Sequence, residues 1–391
     1  MMEAPLYEQI YTYLFEKIKS GELNSGARIP SEKELADQFK VSRITSKKAM
    51  ELLAANRLIE RIQGKGSFVV EQLPDMAEMK ASKQHDLAVV IGSENNSRKL
   101  VGLILPDFAD SYGSRLIHGV EEACSDHHCH MLMKLTFDNR EAEEEAIRSF
   151  LHLGVDGLIV FPVHGEHYNL ELLRLVLDKF PVIFVDRYLK GISACSVYTD
   201  NRKAAHELTK YLLDQGHGQI GFLSLPAEDT STIEDRILGF MDALSEAGRV
   251  FKQQFLMTNL FSSLPQSFDE RNIKVDLEKV EEFVQLNPDI TAFVCAEYNL
   301  ALILRQVLIS SGKRIPEDCG IVCFDSPVDP FGKPPFTHIR QNEDQMGIRA
   351  VELLQDHWMN KEVLFHNTIP YELVEGTSTI RNKVRNDKAR V

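Results

Sequence analysis

A chain of 391 residues, 43% of them apolar, is long enough for two or three domains with sizeable cores. A net charge of −14 excludes a protein that is basic throughout, and the charge is uneven: residues 1–70 carry 11 Lys and Arg against 9 Asp and Glu, the remainder 33 against 49. No run of 18 apolar residues offers a membrane span, the start MMEAPLYEQ lacks a secretory signature, and six scattered cysteines suit a reducing cytoplasm.

Leu6, Ile10, Tyr13, Leu14 and Ile18 recur at helical spacing, and Gly21 ends this first helix before an Asn24-Ser25-Gly26 turn. Ser31 with Glu34 three residues on forms a capping box, so a second helix begins at Glu32 and shows Leu35 and Phe39 to a core. Ser42 can cap a third helix, Arg43–Asn56, with Ser46, Ala49, Met50 and Leu53 on its inner face. Arg43, Thr45, Lys47 and Lys48 crowd the first turns of its outer face. Strand runs at Leu58–Ile62 and Ser67–Val70 flank Gln63-Gly64-Lys65-Gly66, a hairpin tip whose lysine can reach phosphate. Between Lys40 and Lys65 there are 7 basic and 2 acidic residues, a local patch on an otherwise acidic chain. The pattern is that of a winged helix-turn-helix.

Residues 1–70 resemble the GntR-type DNA-binding domain through IPSEKELADQF, VSRITSKKAM and RIQGKGSFV, in matching order and spacing. The resemblance implies operator contacts at Arg28, Ser31, Ser42, Arg43, Thr45, Lys47, Lys48, Arg61, Lys65 and Gly66. Lys33 and Lys47 stand where that family usually has arginine, and Ser46 where it has valine; lysine keeps the phosphate charge but loses bidentate reading of guanine.

Residues 71–99 read as a linker with an apolar island, Leu87–Gly92. From Leu100 the chain alternates strands and helices: LVGLILP, Tyr112–His127, HMLMKL, Arg140–Leu153, GLIVF, Tyr168–Lys179, PVIFV, Asn201–Gln215, QIGFLSL, Ile233–Ala247, Asp276–Gln285, TAFVCA, Asn299–Ser311, CGIVCF and Gln345–Trp358. Continuous apolar strands between helices predict parallel sheets covered on both faces. The expected architecture is α/β, with two Rossmann-like lobes near 100–198 and 201–335 inside a domain spanning 100–380, then a polar tail, 381–391. Ligands bind beyond the carboxyl ends of such strands, where Asp107, Phe161-Pro162, Asp186-Arg187, Asp325 and Gln341 fall, with Arg236 opening a helix. Carboxylates accept from adjacent hydroxyls, guanidiniums donate to ring and hydroxyl oxygens, and an aromatic stacks on a sugar's apolar face.

Residues 100–380 resemble the LacI-type effector domain, which shares its periplasmic-binding-protein-like fold with sugar-binding proteins, through LVGLILPD, GVDGLIVFP, PVIFVDR, VYTDN, LLDQGHGQIGFLS, RILGF, RIPEDCGIVCFDS and LVEGTST. The resemblance implies a sugar or sugar-phosphate effector at or near Asp107, Arg187, Arg236, Asp325 and Gln341, and Tyr112, Phe161 and Glu297 are expected to join them in the cleft. Glu297-Tyr298 occupies a place where that family commonly has Asn-Asp. A GntR-like domain fused to a LacI-like domain is the arabinose-repressor-type arrangement.

Cys124, His127, His128, Cys129 and His130 are expected to end a helix and enter a strand, not to hold a metal, because neighbours in sequence point apart. His164 and His167 are expected to be exposed loop histidines. Asp200 and Asp235 read as helix caps, and Asp186-Arg187 as a ligand clamp in preference to an internal ion pair. No G-x-S-x-G elbow, Walker A loop or H-E-x-x-H occurs. The expectation is a cytoplasmic, homodimeric, effector-responsive repressor that binds double-stranded operator DNA, needs no cofactor or metal and touches no membrane. The alternative is a sugar-modifying α/β enzyme carrying a DNA-binding appendage.

Overall fold

The candidate residues are carried by two units, Met1–Ser97 and Arg98–Val391, into which the structure, a computed structural model, divides. It describes residues 6–41, 43–55, 58–62, 66–70, 98–165, 169–328, 330 and 332–380. Ser42, the wing tip with Lys65, the stretch holding Leu87–Gly92, His167 and the tail 381–391 lie outside the described residues, as do the side chains of Arg43, Lys48 and Arg61.

The first unit orders α1 (Leu6–Lys19), α2 (Glu32–Phe39), α3 (Arg43–Ala55), β1 (Ile59–Ile62) and β2 (Gly66–Val69). The capping box forms in both directions: Ser31 N donates to Glu34 Oε2 at 2.7 Å, and Glu34 N donates to Ser31 Oγ at 3.3 Å. Lys40 ends α2 in the left-handed region, which turns the chain sharply towards α3. Ile10, Leu14, Leu35, Met50, Leu53 and Val69 fill one buried core, with Ser46 also buried on the inner face of α3. The strands pair antiparallel from Ile59↔Val69 to Ile62↔Gly66. Arg28 adds a bridge to Phe68, which extends the hairpin by a third short segment. A few buried leucines and isoleucines from three helices therefore fix the angle at which α3 is presented.

In the second unit the first lobe holds β3 (Leu100–Leu105), α4 (Ser114–Asp126), β4 (His130–Leu135), α5 (Arg140–Leu153), β5 (Gly157–Val160), α6 (Leu170–Leu177), β6 (Val182–Val185) and β7 (Ser196–Thr199). The second begins with α7 (Asn201–Asp214), β8 (Ile220–Leu223), α8 (Ser231–Glu246), β9 (Leu256–Met257), α9 (Glu270–Leu286), β10 (Ala292–Cys295), α10 (Tyr298–Ser310), β11 (Gly320–Phe324) and β12 (Thr337–Gln341). The last elements are α11 (Glu343–Trp358), β13 (His366–Ile369) and β14 (Tyr371–Val374). The two sheets run β4-β3-β5-β6-β7-β13 and β9-β8-β10-β11-β12-β14. The first is parallel throughout; in the second only β14 is antiparallel, to β12.

The chain crosses between lobes three times. It leaves the first after β7, returns after β12 so that α11 packs on the first lobe's core, and crosses again between β13 and β14. The lobes are therefore not the contiguous halves 100–198 and 201–335 that alternation alone suggests. β13 and β14 escape sequence reading because HNTI and YELV are short and half-exposed, without the buried apolar run of an inner strand. α9 starts six residues before the expected Asp276, capped by Asp269, which accepts from the amides of Arg271 and Asn272. Asp276 sits mid-helix instead, buried, and accepts from Phe261 N and Ser262 N.

Candidate functional site

In the first unit, Arg28 and Lys47 are exposed, and Thr45 is half-buried at the start of α3. Gly66 opens β2 at φ +117, a conformation that side chains avoid, beside the Arg28 guanidinium. Ser31 is spent as a helix cap, which leaves its exposed edge at the N-terminus of α2. Helix termini and hairpin glycines of this kind bring backbone N–H groups close to phosphates.

In the second unit, both sheets end their fourth strand in an aspartate. Asp186 follows β6 at φ +65, and Asp325 follows β11 at φ +61. Both lie in the left-handed region, which aspartate tolerates better than most residues and which aims the side chain back across the strand end. Tyr112 donates its hydroxyl to Asp186 Oδ1. Arg187 lies 3.8 Å from Asp186 Oδ2 through Nε, donates from Nη1 to Pro162 O at 2.8 Å, and stacks over Phe161 at 5.0 Å. Gln341 donates from Nε2 to Asp325 Oδ2 at 2.9 Å. Arg236 donates from Nε to Asn201 Oδ1 at 2.8 Å and from Nη1 to Ala296 O at 2.6 Å, with its guanidinium 3.8 Å over the Phe324 ring. Ser263 donates its hydroxyl to Glu297.

The electrostatics tie these groups into one set. The Arg236 charge is felt by Asp186, Glu297 and Asp325, and that of Arg187 by Asp186 and Glu297. Burial nonetheless wins over both guanidiniums: it raises the carboxyls of Asp186 and Glu297, and lifts Asp325 to about 7. Glu343, at the start of α11, is pushed up to about 8 by burial and by Asp325, although it accepts from Gly113 N. The Tyr112 hydroxyl is raised well above its ordinary value by burial and by Asp186. Two buried polar atoms of the set, Gln341 Oε1 and Arg187 Nε, make no hydrogen bond.

Of the eight residues proposed from sequence, seven are thus linked: Tyr112, Phe161, Arg187, Arg236, Glu297, Asp325 and Gln341. Asp107 follows β3 half-buried and accepts from Phe108 N at 2.8 Å; among the described residues no hydrogen bond or ion pair joins it to the others. Arg236 does not open its helix but lies in the second turn of α8. Asp200 caps α7 through Lys203 N, as expected. Asp235 caps nothing; it accepts from the Tyr188 hydroxyl at 3.0 Å. Sequence reasoning missed Glu343, Asn201 and Ser263. Asn201 directly follows Asp200 and Glu343 lies two residues after Gln341, so nearness to a strand end already weighed is a usable signal; Ser263 has none.

The cleft rim is bridged by direct contacts between lobes. His164 Nε2 meets Pro226 O at 3.0 Å, Gly165 N donates to Thr230 Oγ1 at 3.1 Å, Tyr188 N donates to Ser231 Oγ at 3.2 Å, and Lys190 pairs with Glu234. His164 is therefore half-buried, not the exposed loop histidine expected, and burial lowers its ring to about 4. A small cavity of about 50 Å³, partly open to solvent, lies beneath this rim. It is lined by Glu143, Val163, Leu189, Asp229 and Ser231, and Arg187 alone joins it to the linked set. Glu143 is buried there and raised to about 7 by burial, with neither carboxylate oxygen in a hydrogen bond. Among the described residues no group of His, Cys, Asp or Glu is placed to hold a metal, and no helix is long and apolar enough to cross a membrane.

Residues 98–374 match the family of periplasmic binding proteins and the sugar binding domain of the LacI family, and residues 6–69 match bacterial regulatory proteins of the gntR family. An arabinose metabolism transcriptional repressor of Geobacillus stearothermophilus is 27% identical over 358 residues, 90% of each chain. One of Halalkalibacterium halodurans is 28% identical over 355 residues, 89% of this chain and 88% of that one. The second unit superposes on the transcription regulator CcpA of Lactococcus lactis with a TM-score of 0.63 at 23% identity, covering 72% of this chain and all of that one. With both of its units so matched, this chain belongs to the LacI-type family of periplasmic-binding-protein-like regulators, with a gntR-family domain at its N-terminal end, and is a DNA-binding transcriptional regulator.

Proposed function

We propose that the chain represses carbohydrate-utilisation genes, and that a small sugar bound between the two lobes changes its affinity for operator DNA. The observation that carries this reading is the linked polar set, in which Asp186, Arg187 and Tyr112 from one lobe face Arg236, Glu297, Asp325 and Gln341 from the other. Acceptors and guanidiniums from both lobes, with Phe161 as an apolar floor, suit a polyol gripped from two sides. The relatives whose names specify arabinose metabolism support the same class of effector without fixing the sugar. Asp107, at the same end of the first sheet, is assigned to the same cleft.

Operator contacts are assigned to Arg28, Ser31, Ser42, Arg43, Thr45, Lys47, Lys48, Arg61, Lys65 and Gly66, with α3 in the major groove and the β1–β2 hairpin on the flanking backbone. One winged helix gives a small interface, so a homodimer on two half-sites is proposed, working in the cytoplasm where its DNA lies. The absence of catalytic motifs from the sequence supports regulation without turnover. Because rim contacts close the cleft, sugar entry must break them, and the effector must favour one lobe arrangement over the other to shift DNA affinity.

A thermal-shift screen of pentoses, hexoses and disaccharides, followed by fluorescence anisotropy on DNA flanking the chain's own gene, tests this. Expected is a sugar that stabilises the protein and, at the same concentration, changes DNA affinity. DNA binding indifferent to every stabilising sugar would overturn it, and turnover of a sugar would favour the enzyme alternative.

A further inference from the structure

Four buried side-chain atoms without a hydrogen bond sit on three neighbouring residues of the first lobe: both carboxyl oxygens of Glu143, Nδ2 of Asn169 and Nε of Arg187. Glu143 is 1% exposed in the first turn of α5, and Asn169 is wholly buried as the cap of α6. The Asn169 amide and the Val163 N–H come near enough to favour the ionised form of Glu143, but neither meets it with hydrogen-bond geometry. A helix N-terminus favours an acid in its first turn, yet gives no reason to bury one unpaired. Donors and acceptors stand unpaired together here, which suits a partner that both gives and accepts, as a hydroxyl does.

Glu143 also lines the small cavity beneath the rim. So do Pro162 and Arg187, which directly follow Phe161 and Asp186 of the cleft, and Asp229 and Ser231 from the second lobe. The cavity therefore adjoins the sugar cleft and is complete only while the lobes meet. Its volume of about 50 Å³ has room for about three or four waters, at about 10–15 Å³ each. A sugar ring exceeds that space, whereas a side arm of one carbon and one oxygen fits it.

We infer that this cavity is a subsite for the exocyclic hydroxymethyl arm of the effector, selected by Glu143, so that the effector is a hexose in preference to the matching pentose. The inference rests on the sugar reading of the cleft proposed above. The arm's hydroxyl donates to Glu143 and accepts from the Arg187 guanidinium. Burial lifts Glu143 to about 7, so near neutrality its carboxyl can also stand protonated and donate. Because the second lobe completes the cavity, the arm is enclosed only in the closed arrangement, and that supplies the differential affinity an effector needs. A pentose lacks the arm and leaves the cavity to water.

Isothermal titration calorimetry on the full chain at pH 7 decides this, with three pairs that differ by the arm alone: galactose and L-arabinose, glucose and xylose, mannose and lyxose. The 6-deoxy form of each hexose keeps the arm's carbon and drops its hydroxyl. At least one hexose is expected to bind wild type about tenfold or more tightly than its pentose, as a buried hydrogen-bonded hydroxyl allows, and to lose most of that advantage in its 6-deoxy form. Glu143→Ala is expected to erase the difference within the pair. The 6-deoxy sugars test the same contact without a variant, so the outcome does not hang on how well Glu143→Ala folds. A cavity filled by water only would show as no hexose advantage in any pair. That result, an advantage that the 6-deoxy sugar keeps, or one that survives Glu143→Ala would each overturn the inference while leaving the sugar reading intact. Silence from every probe would also overturn it, and silence from a wider sugar screen as well would remove the sugar reading.

Discussion

In the first lobe Asp186 closes the fourth strand of a six-stranded sheet, and in the second Asp325 closes the fourth strand of another, both with positive φ. The parallel extends to the helices. Gly119 of α4 lies against the carbonyl of Asp344, the second residue of α11; Gly239 of α8 lies against that of Arg202, the second residue of α7. Three residues before each glycine the likeness stops. Leu116 is buried in the first lobe's apolar core, whereas Arg236 reaches the polar set. The first lobe takes its guanidinium from the residue next to its aspartate, Arg187; the second imports one from a helix. The repeated architecture delivers the carboxylates symmetrically, and the cations are a separate addition on each side. The side whose cation comes from a core-facing helix position has more to lose with it.

The comparison breaks most visibly at Arg236. Arg236→Leu makes the second lobe copy the first, but leaves Asp186, Glu297 and Asp325 with one guanidinium among them. Removing one partner from a buried charged set costs about 3–5 kcal/mol. Urea unfolding at pH 8 is expected to show a loss of that size, and a smaller one at pH 5.5, where the carboxyls take up protons instead. A loss equal at both pH values would mean that the arginine matters for packing alone.

Next in size are the paired glycines. A Cβ on Gly239 would come within 2.0 Å of Arg202 O, and one on Gly119 within 2.2 Å of Asp344 O. Neither neighbour is a flexible side-chain end, so helices must part, and Gly119→Ala and Gly239→Ala are expected to cost about 1–3 kcal/mol each by overpacking. Comparable losses in urea midpoints would confirm that both crossings are built alike; a loss at one alone would end the equivalence.

How far the sequence carried these features follows from what each one depends on. α5 was legible at both ends because its signals are local: Asn139 caps it through Ala142 N, and Gly154 stops it at φ +79. Asp186 and Asp325 were legible because a carboxylate after a continuous apolar strand has one place to go in an α/β sheet. The triple crossing of the chain, and the assignment of α11 to the first lobe, are set by long-range packing that periodicity does not record. Asp235 was misread as a cap because its true partner, the Tyr188 hydroxyl, lies 47 residues away on the other lobe. Glu297 was noticed only as a departure from a family pattern; its charge has meaning once Arg187 and Arg236 are seen to be shared.

A subtler difference between ordinary surface and cleft appears on titration. Asp325 and Glu143 near 7, and Glu343 near 8, keep protons in the folded chain that the unfolded chain has already released. Their contribution to stability is therefore full at low pH and lost as pH rises through 7 and 8. His164, lowered to about 4, works in the opposite sense, but its contribution is complete above about 6.5. From pH 6.5 to 8 stability is expected to fall, by at most about 1.4 kcal/mol per pH unit for each group. Urea midpoints across that range test the sign. Asp325→Asn should flatten part of the slope, and a wild-type midpoint that rises with pH would contradict the assignment of these buried acids.

The smallest effect belongs to the rim, where the lobes meet through single hydrogen bonds. Tyr188→Phe removes the hydroxyl that donates to Asp235 at 3.0 Å and spares the backbone bond from Tyr188 N to Ser231. A bond to a charged acceptor on a half-buried rim is worth about 1 kcal/mol, which shifts a two-state equilibrium about fivefold. Global unfolding is expected to change little, because each lobe keeps its own core. The shift should appear instead in the opening equilibrium, read as faster amide exchange at Gly165 and Tyr188 and as quicker sugar association, while Lys190→Met, which removes a more exposed ion pair, changes neither measurably. If Tyr188→Phe lowered global stability and left the exchange of these amides untouched, the rim contacts would belong to folding and not to the gate.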